Sequence, residues 1–151
     1  MRIVTNPERL SKVCEPVDYK TSRQIANKMI MFLLSHKNIG NNSIGLACNQ
    51  LGLDGRILLI KQGNRWERII NPVILNRSDE TIISEEKCLS IKKKSVKVER
   101  YTSIKIIQDL ENIYHTDKIM NYKEMEFSGL DAIVIQHEID HLNGILITDK
   151  E

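Results

Sequence analysis

The chain lacks the means for a disulfide framework. It has three cysteines, Cys14, Cys48 and Cys88. The number is odd and no Cys-x-x-Cys pair occurs, which points to a reducing compartment. Prolines are equally sparse, with three in all. No proline-rich linker, internal repeat or low-complexity stretch divides the sequence. Long apolar runs are missing too. A run such as Ile57-Leu58-Leu59-Ile60 falls far short of the roughly 20 residues that a bilayer helix needs. The start, Met1-Arg2-Ile3-Val4-Thr5-Asn6-Pro7, holds no apolar core of signal-peptide length. Charge of one sign is scarce as well: 22 Lys and Arg against 20 Asp and Glu leave a net +2, too little to recruit nucleic acid or an anionic membrane. The basic run Lys92-Lys93-Lys94, beside Ser95, Val96, Lys97 and Val98, reads as a solvated strand edge or loop rather than a phosphate-binding patch.

What is present suits a water-soluble globular protein: 41% hydrophobic and 28% charged residues in a chain of 151. That length suits a single domain, residues 1–151, with a real core. The expected location is the cytoplasm.

Asn6-Pro7 and Glu15-Pro16 mark an irregular N-terminal arm. Thr21 and Gln24 have capping-box spacing, so a helix is expected from near Thr21 with Ile25, Met29, Phe32 and Leu33 as its apolar stripe. It should stop before the turn cluster Gly40-Asn41-Asn42. The middle reads as short strands. They are Arg56 to Lys61, Arg68 to Leu75 (an edge strand or two pieces, because of Asn71-Pro72), Thr81 to Ser84, and alternating segments around Val96, Val98, Ile104 and Ile106. A turn over Asp109 to Asn112 and a returning strand over Ile113 to Met120 should follow. A second helix is expected from about Gly129 to Leu142, capped by Ser128, with Asp131 near its positive end and Asn143-Gly144 as its stop. Helices segregated from largely antiparallel strands make an α+β domain. The strands are expected to surround the C-terminal helix, with the N-terminal helix packed outside.

The chemistry concentrates in Gln136-His137-Glu138-Ile139-Asp140-His141. Residues four apart share one helical face, so two imidazoles can reach one metal ion with a carboxylate beside its open side. Leu130, Ile133, Val134, His137 and His141 form one stripe. Both histidines should therefore face inward, where an unpaired imidazole is costly. A catalytic metal needs a third protein ligand. Glu86-Lys87-Cys88-Leu89-Ser90 is the best donor segment, with Cys88 binding as a thiolate. In Ser43-Ile44-Gly45-Leu46-Ala47-Cys48-Asn49-Gln50, small residues permit close backbone approach to a ligand, and Gln50 can donate to a developing oxyanion.

These three stretches, in this order and at these separations, resemble peptide deformylase. That family carries segments like Gly-x-Gly-Leu-Ala-Ala-x-Gln, Glu-Gly-Cys-Leu-Ser and Gln-His-Glu-x-Asp-His. Asn6-Pro7-Glu8-Arg9-Leu10 and Ile69-Ile70-Asn71-Pro72 also look like family sequence. The resemblance implies removal of the N-formyl group from the initiator methionine of new polypeptides. It implies Cys88, His137 and His141 as metal ligands, and Glu138 as the base that takes a proton from water and passes it to the leaving amine. It implies Gln50 and the Leu89 N–H as oxyanion donors. Backbone near Gly45 and Lys87 would align the peptide like an added strand. Ile44, Leu130, Ile133 and Val134 are the candidate methionine pocket. The implied cofactor is one divalent metal, usually Fe2+ in the family, with Zn2+, Ni2+ or Co2+ as substitutes. Asp140, typical of the family, is a candidate orienting residue, with Arg100 as its counter-ion.

Ser43 stands where the family usually has glycine, Cys48 where it has alanine, and Lys87 where it has glycine. The proline usual after Cys-Leu-Ser is missing. The resemblance is to short forms, such as those carried by viruses of bacteria, without the C-terminal helix that often lies near the ribosome in longer members. Ribosome docking is left open, and a monomer is expected. Two other readings stay open on sequence alone. One is a His-Glu-x-x-His peptidase without a cysteine ligand. The other is a non-catalytic binder of nascent N-termini with a structural metal.

Overall fold

A computed structural model describes residues 1–109 and 122–151. The returning strand expected over Ile113 to Met120, and most of the turn before it, lie outside the described residues. Four helices are described: α1 Pro7–Leu10, α2 Tyr19–Ser35, α3 Lys37–Asn42 and α4 Gly129–Leu142. Among the described residues the strands are β1 Gly45–Ala47, β2 Ile57–Gln62, β3 Arg65–Ile70, β4 Pro72–Arg77, β5 Thr81–Cys88, β6 Ile91–Tyr101, β7 Ser103–Asp109 and β8 Tyr122–Ser128. They pair antiparallel in the orders β1-β2-β3, β4-β7-β8 and β5-β6. The expected α+β architecture is what forms.

The core is built on β2. Ile57, Leu58, Leu59 and Ile60 are all buried although successive strand residues point to opposite faces. Both faces of β2 are therefore covered, and α2 and α4 both pack on it. The expected stripe of α2, Ile25, Met29, Phe32 and Leu33, is buried against this sheet. On β6, Val96, Val98 and Arg100 alternate inward while Lys97 and Glu99 face solvent. This inward row meets Cys88 and Ile147 in a second, smaller core.

Several boundaries differ from the sequence reading. The N-terminal arm contains a turn of helix, α1, because Asn6 Oδ1 accepts from the Glu8 and Arg9 N–H groups. The cap of α2 is Asp18 rather than Thr21; its carboxylate accepts from the Thr21 N–H at 2.7 Å. Gly40-Asn41-Asn42 does not form the expected turn but completes α3, where Gly40 lies so close to the Leu33 carbonyl that a side chain would not fit. Asn71, at φ 49°, divides Arg68 to Leu75 into β3 and β4. Strand β5 runs past Ser84 to Cys88 because β6 pairs with Glu85, Glu86 and Cys88 as well. Ser128 does sit at the N-cap of α4 but its side chain makes no cap bond; the Gly129 N–H is satisfied by the Thr102 carbonyl at 3.0 Å.

Helix α4 is anchored at its middle and at its C-terminal end. Gln136 Nε2 donates to the Tyr101 carbonyl at 2.9 Å, and its Oε1 accepts from the Tyr101 N–H at 3.0 Å, so the helix is clamped to the end of β6. At the far end, Arg56 Nη1 donates to the carbonyls of Leu142 and Cys14, both at 3.0 Å. These bonds satisfy a helix-terminal carbonyl that would otherwise be orphaned.

Candidate metal centre

Ile44, Gly45, Gln50, Lys87, Cys88, Leu89, Leu130, Ile133, Val134, His137 and Glu138 all line one cavity of about 320 Å³. His141 lies just beneath it, 1% exposed. Eleven of the twelve site residues expected from sequence therefore line one cavity, and the twelfth, His141, is buried against one of them, Cys88. Leu130 departs from the expected inward stripe: it is 62% exposed, at the cavity rim. Ile44 is also a rim residue, 49% exposed.

One ligand atom each from Cys88, His137 and His141 lie within 4.8 Å of one another. The sulfur of Cys88 is 3.2 Å from His141 Nε2. His137 Nδ1 is taken up by Glu86 Oε1 at 2.9 Å, which leaves Nε2 as its ligand nitrogen. Two imidazole nitrogens and a thiolate are donors that zinc, iron, cobalt and nickel all accept, with a coordination position left for water or substrate. A second observation supports a ligand here. Glu138, which lines the cavity, has its Oε2 buried without a hydrogen-bond partner among the described residues. Such groups are costly unless something fills the site.

Charged groups around the ligands are locked in place. Glu86 is two residues before Cys88 on β5, so both point to the same side of the strand. Its carboxylate accepts from Arg100 Nε at 2.8 Å and Nη2 at 2.7 Å, and Arg100 Nη1 reaches Asp140 at 2.6 Å. Burial alone would raise the Glu86 pKa, but the bonds from Arg100 and His137 outweigh it and hold the carboxyl down at about 2. Burial works against charge on His137, yet its bonds to Cys88 and Glu86 prevail and push it up to about 10. For His141, burial, helped by the nearby charges of His137 and Arg100, lowers the pKa to about 3 and keeps the ring neutral. Burial raises Glu138 to about 7, within the range useful for taking and returning a proton near neutrality.

The upstream segment is held as firmly. Gln50 sits in a short 3-10 turn, Cys48–Leu51. Its Oε1 accepts from the Ala47 N–H at 2.9 Å, and its Nε2 points to Ser90 Oγ at 3.2 Å and the Cys88 sulfur at 3.6 Å. Asn49 Nδ2 donates to the His141 carbonyl at 2.7 Å, which ties this turn to α4. Gly45 has no room for a side chain. A Cβ there would fall 2.7 Å from both Glu138 Oε1 and Val134 Cγ1.

The sequence reading assigned no role to Glu86, Ser90, Asn49 or Gln136. The signal for Glu86 was available, since strand period two places it on the face of Cys88. The Arg100–Asp140 pairing expected from sequence is present, and all three cysteines are free.

A family model described as polypeptide deformylase matches residues 1–151. Peptide deformylase from Afipia carboxidovorans is 38% identical over 154 aligned residues, covering 97% of this chain and 84% of that protein. The crystal structure of peptide deformylase from Thermotoga maritima is similar with a TM-score of 0.77 and 35% identity, over 99% of this chain and 95% of that one. A probable peptide deformylase from Synechococcus phage S-SSM7 is similar with a TM-score of 0.78 and 30% identity, over 100% and 99% of the two chains.

Proposed function

The chain belongs to the polypeptide deformylase family, and we infer from this, with the geometry of its cavity, how it removes the N-formyl group from the formylmethionine of new polypeptides. The observation that carries the reading is the convergence of Cys88, His137 and His141 under the cavity that Glu138 and Gln50 also line. Cys88, His137 and His141 would hold a metal that, when bound, would supply Lewis acidity to a water and to the formyl carbonyl.

The remaining steps fall to the chain's own groups. Glu138 takes the proton of the attacking water and returns it to the departing amine; its buried carboxyl, raised to about 7, supports both roles. Gln50 Nε2 and the Leu89 N–H donate to the oxyanion as the carbonyl carbon becomes tetrahedral. The bond from the Ala47 N–H holds the Gln50 carboxamide in place, and the oxyanion takes over from one of the two acceptors, Ser90 Oγ and the Cys88 sulfur, that its Nε2 faces. The substrate lies as an extra strand between β1 and β5, each of which pairs on one side only among the described residues. Ile133 and Val134 form the apolar floor for the methionine side chain, with Ile44 and Leu130 at its rim.

Ferrous iron is the proposed native metal, with zinc, nickel or cobalt able to replace it. The 151 residues act as one catalytic domain, a cytoplasmic monomer whose partners are N-formylmethionyl nascent peptides. No helix among the described residues is long and apolar enough to cross a membrane.

Incubating the iron-loaded protein anaerobically with formyl-Met-Ala-Ser tests this reading. Stoichiometric release of formate with intact internal peptide bonds is expected. Internal cleavage, or no formate with the metal fully bound, overturns it.

A further inference from the structure

We propose that Lys87 makes this enzyme prefer an acidic residue immediately after the formylmethionine. The proposal rests on the deformylase reading and extends it to the second substrate residue. Lys87 directly precedes the ligand Cys88 and lines the cavity, yet its side chain is exposed. Along β5, Glu86 and Cys88 are buried while Glu85 and Lys87 are exposed on the opposite face.

The pairing of β5 with β6 is irregular at this point. The register passes from Glu86↔Val96 to Cys88↔Ile91, so Lys87 has no Cα partner and Lys92 to Ser95 are taken up opposite it. Lys93 there adopts φ 59°. Such irregularities re-aim side chains, often beside active sites.

Lys87 is offset on its face only by Glu85, two residues away. Lys87 forms no ion pair with any described residue. Glu85, the other charge on its face, accepts from Ser95 Oγ at 2.9 Å and stands opposite Lys97 in register. Glu86 is turned inward onto Arg100 and His137. Lys94 pairs with Glu151, while Lys92 and Lys93 are exposed and add to the positive field.

An extended substrate alternates its side chains. With the methionine directed to Ile133 and Val134 on α4, the next side chain points to the opposite, solvent-facing side. That is the face of Lys87. Glu85, which also lines the cavity, lies two residues further along, about 7 Å away, so its repulsion offsets part of the attraction without cancelling that of the nearer Lys87. Aspartate or glutamate at this position gains an exposed charge pair, and lysine or arginine is repelled. Exposed pairs are weak, so the expected preference is roughly two- to five-fold in kcat/KM. It should appear in KM rather than kcat, because the contact is the same in ground and transition states.

The test compares formyl-Met-Asp-Ala, formyl-Met-Lys-Ala and formyl-Met-Ala-Ala on the metal-loaded protein, at ionic strengths of about 0.01 M and about 1 M, where the Debye lengths are roughly 30 and 3 Å. The Asp-to-Lys ratio should be roughly two to five at low salt and near one at high salt. It should fall to near one in Lys87→Ala and invert in Lys87→Glu. Cleavage of all three peptides with no Asp preference, or the same ratio in Lys87→Glu, overturns the role of Lys87 and leaves the deformylase reading standing. No formate from any of the three overturns both.

Discussion

His137 Nδ1 lies 2.9 Å from Glu86 Oε1, so the strand that brings the thiolate also aims one of the imidazoles. Glu86 is itself gripped by Arg100, which is 3% exposed and reaches on to Asp140. The chain His137–Glu86–Arg100–Asp140 begins on α4, crosses β5 and β6, and returns to α4. It fixes the distance between the two elements that share the metal. Carboxylates behind ligand histidines orient the ring and raise its basicity.

Glu86→Gln should therefore weaken metal binding about 10- to 100-fold while the protein stays folded. Glu86→Ala should do the same and also destabilise the fold by about 3–5 kcal/mol, because Arg100 is left buried with half its partners gone. Competition with a chromophoric chelator gives the first quantity and denaturant unfolding the second. Unchanged metal affinity in both variants would show that Glu86 has no part in placing His137.

Gly45→Ala should impair activity far more than its size suggests. The new Cβ would fall 2.7 Å from Glu138 Oε1, so the carboxyl must move. Overpacking of this kind costs about 1–3 kcal/mol in stability. The diagnostic result is a fall in kcat with metal content intact, since the atoms nearest the new Cβ belong to Glu138 and Val134 and not to the three ligands. A melting curve and a metal assay alongside the kinetics separate displacement of Glu138 from general unfolding.

Gln50→Ala should lower kcat about 10²- to 10³-fold, the usual effect of losing an oxyanion donor. Because Gln50 Oε1 also holds the Ala47 N–H, Gln50→Glu is the sharper variant. It keeps that acceptor and removes the donor. Equal losses in the two variants point to the oxyanion; retention of activity in Gln50→Glu would assign Gln50 to holding the turn alone.

The parts of the site that follow from local periodicity were legible in the sequence. His137 and His141 are four apart on a helix; His141 is fully buried and His137, 11% exposed, faces the cavity. Cys88 gained meaning only beside them, because a lone buried cysteine is usually apolar filling. The fold class also followed from pattern, as did the buried stripe of α2. What failed was decided by contacts distant in sequence or by competing local bonds. Asp18 took the cap that Thr21 was expected to provide. Gly40 extended a helix because it packs on Leu33. Strand β5 reached Cys88 through pairing with Lys97, Val96 and, across an irregularity that takes up Lys92 to Ser95, Ile91. Gln136 was visible in the motif, but its hold on Tyr101 depends on where β6 ends.

The central claim is that a buried carboxyl moves the proton over a metal held by Cys88, His137 and His141. The most direct measurement is formate release by wild-type and Glu138→Gln proteins carrying the same measured amount of iron. Glu138→Gln should bind the metal as tightly as wild type and lose roughly 10²- to 10⁴-fold in kcat. Formate release by Glu138→Gln at the wild-type rate, with equal metal content, would contradict the account.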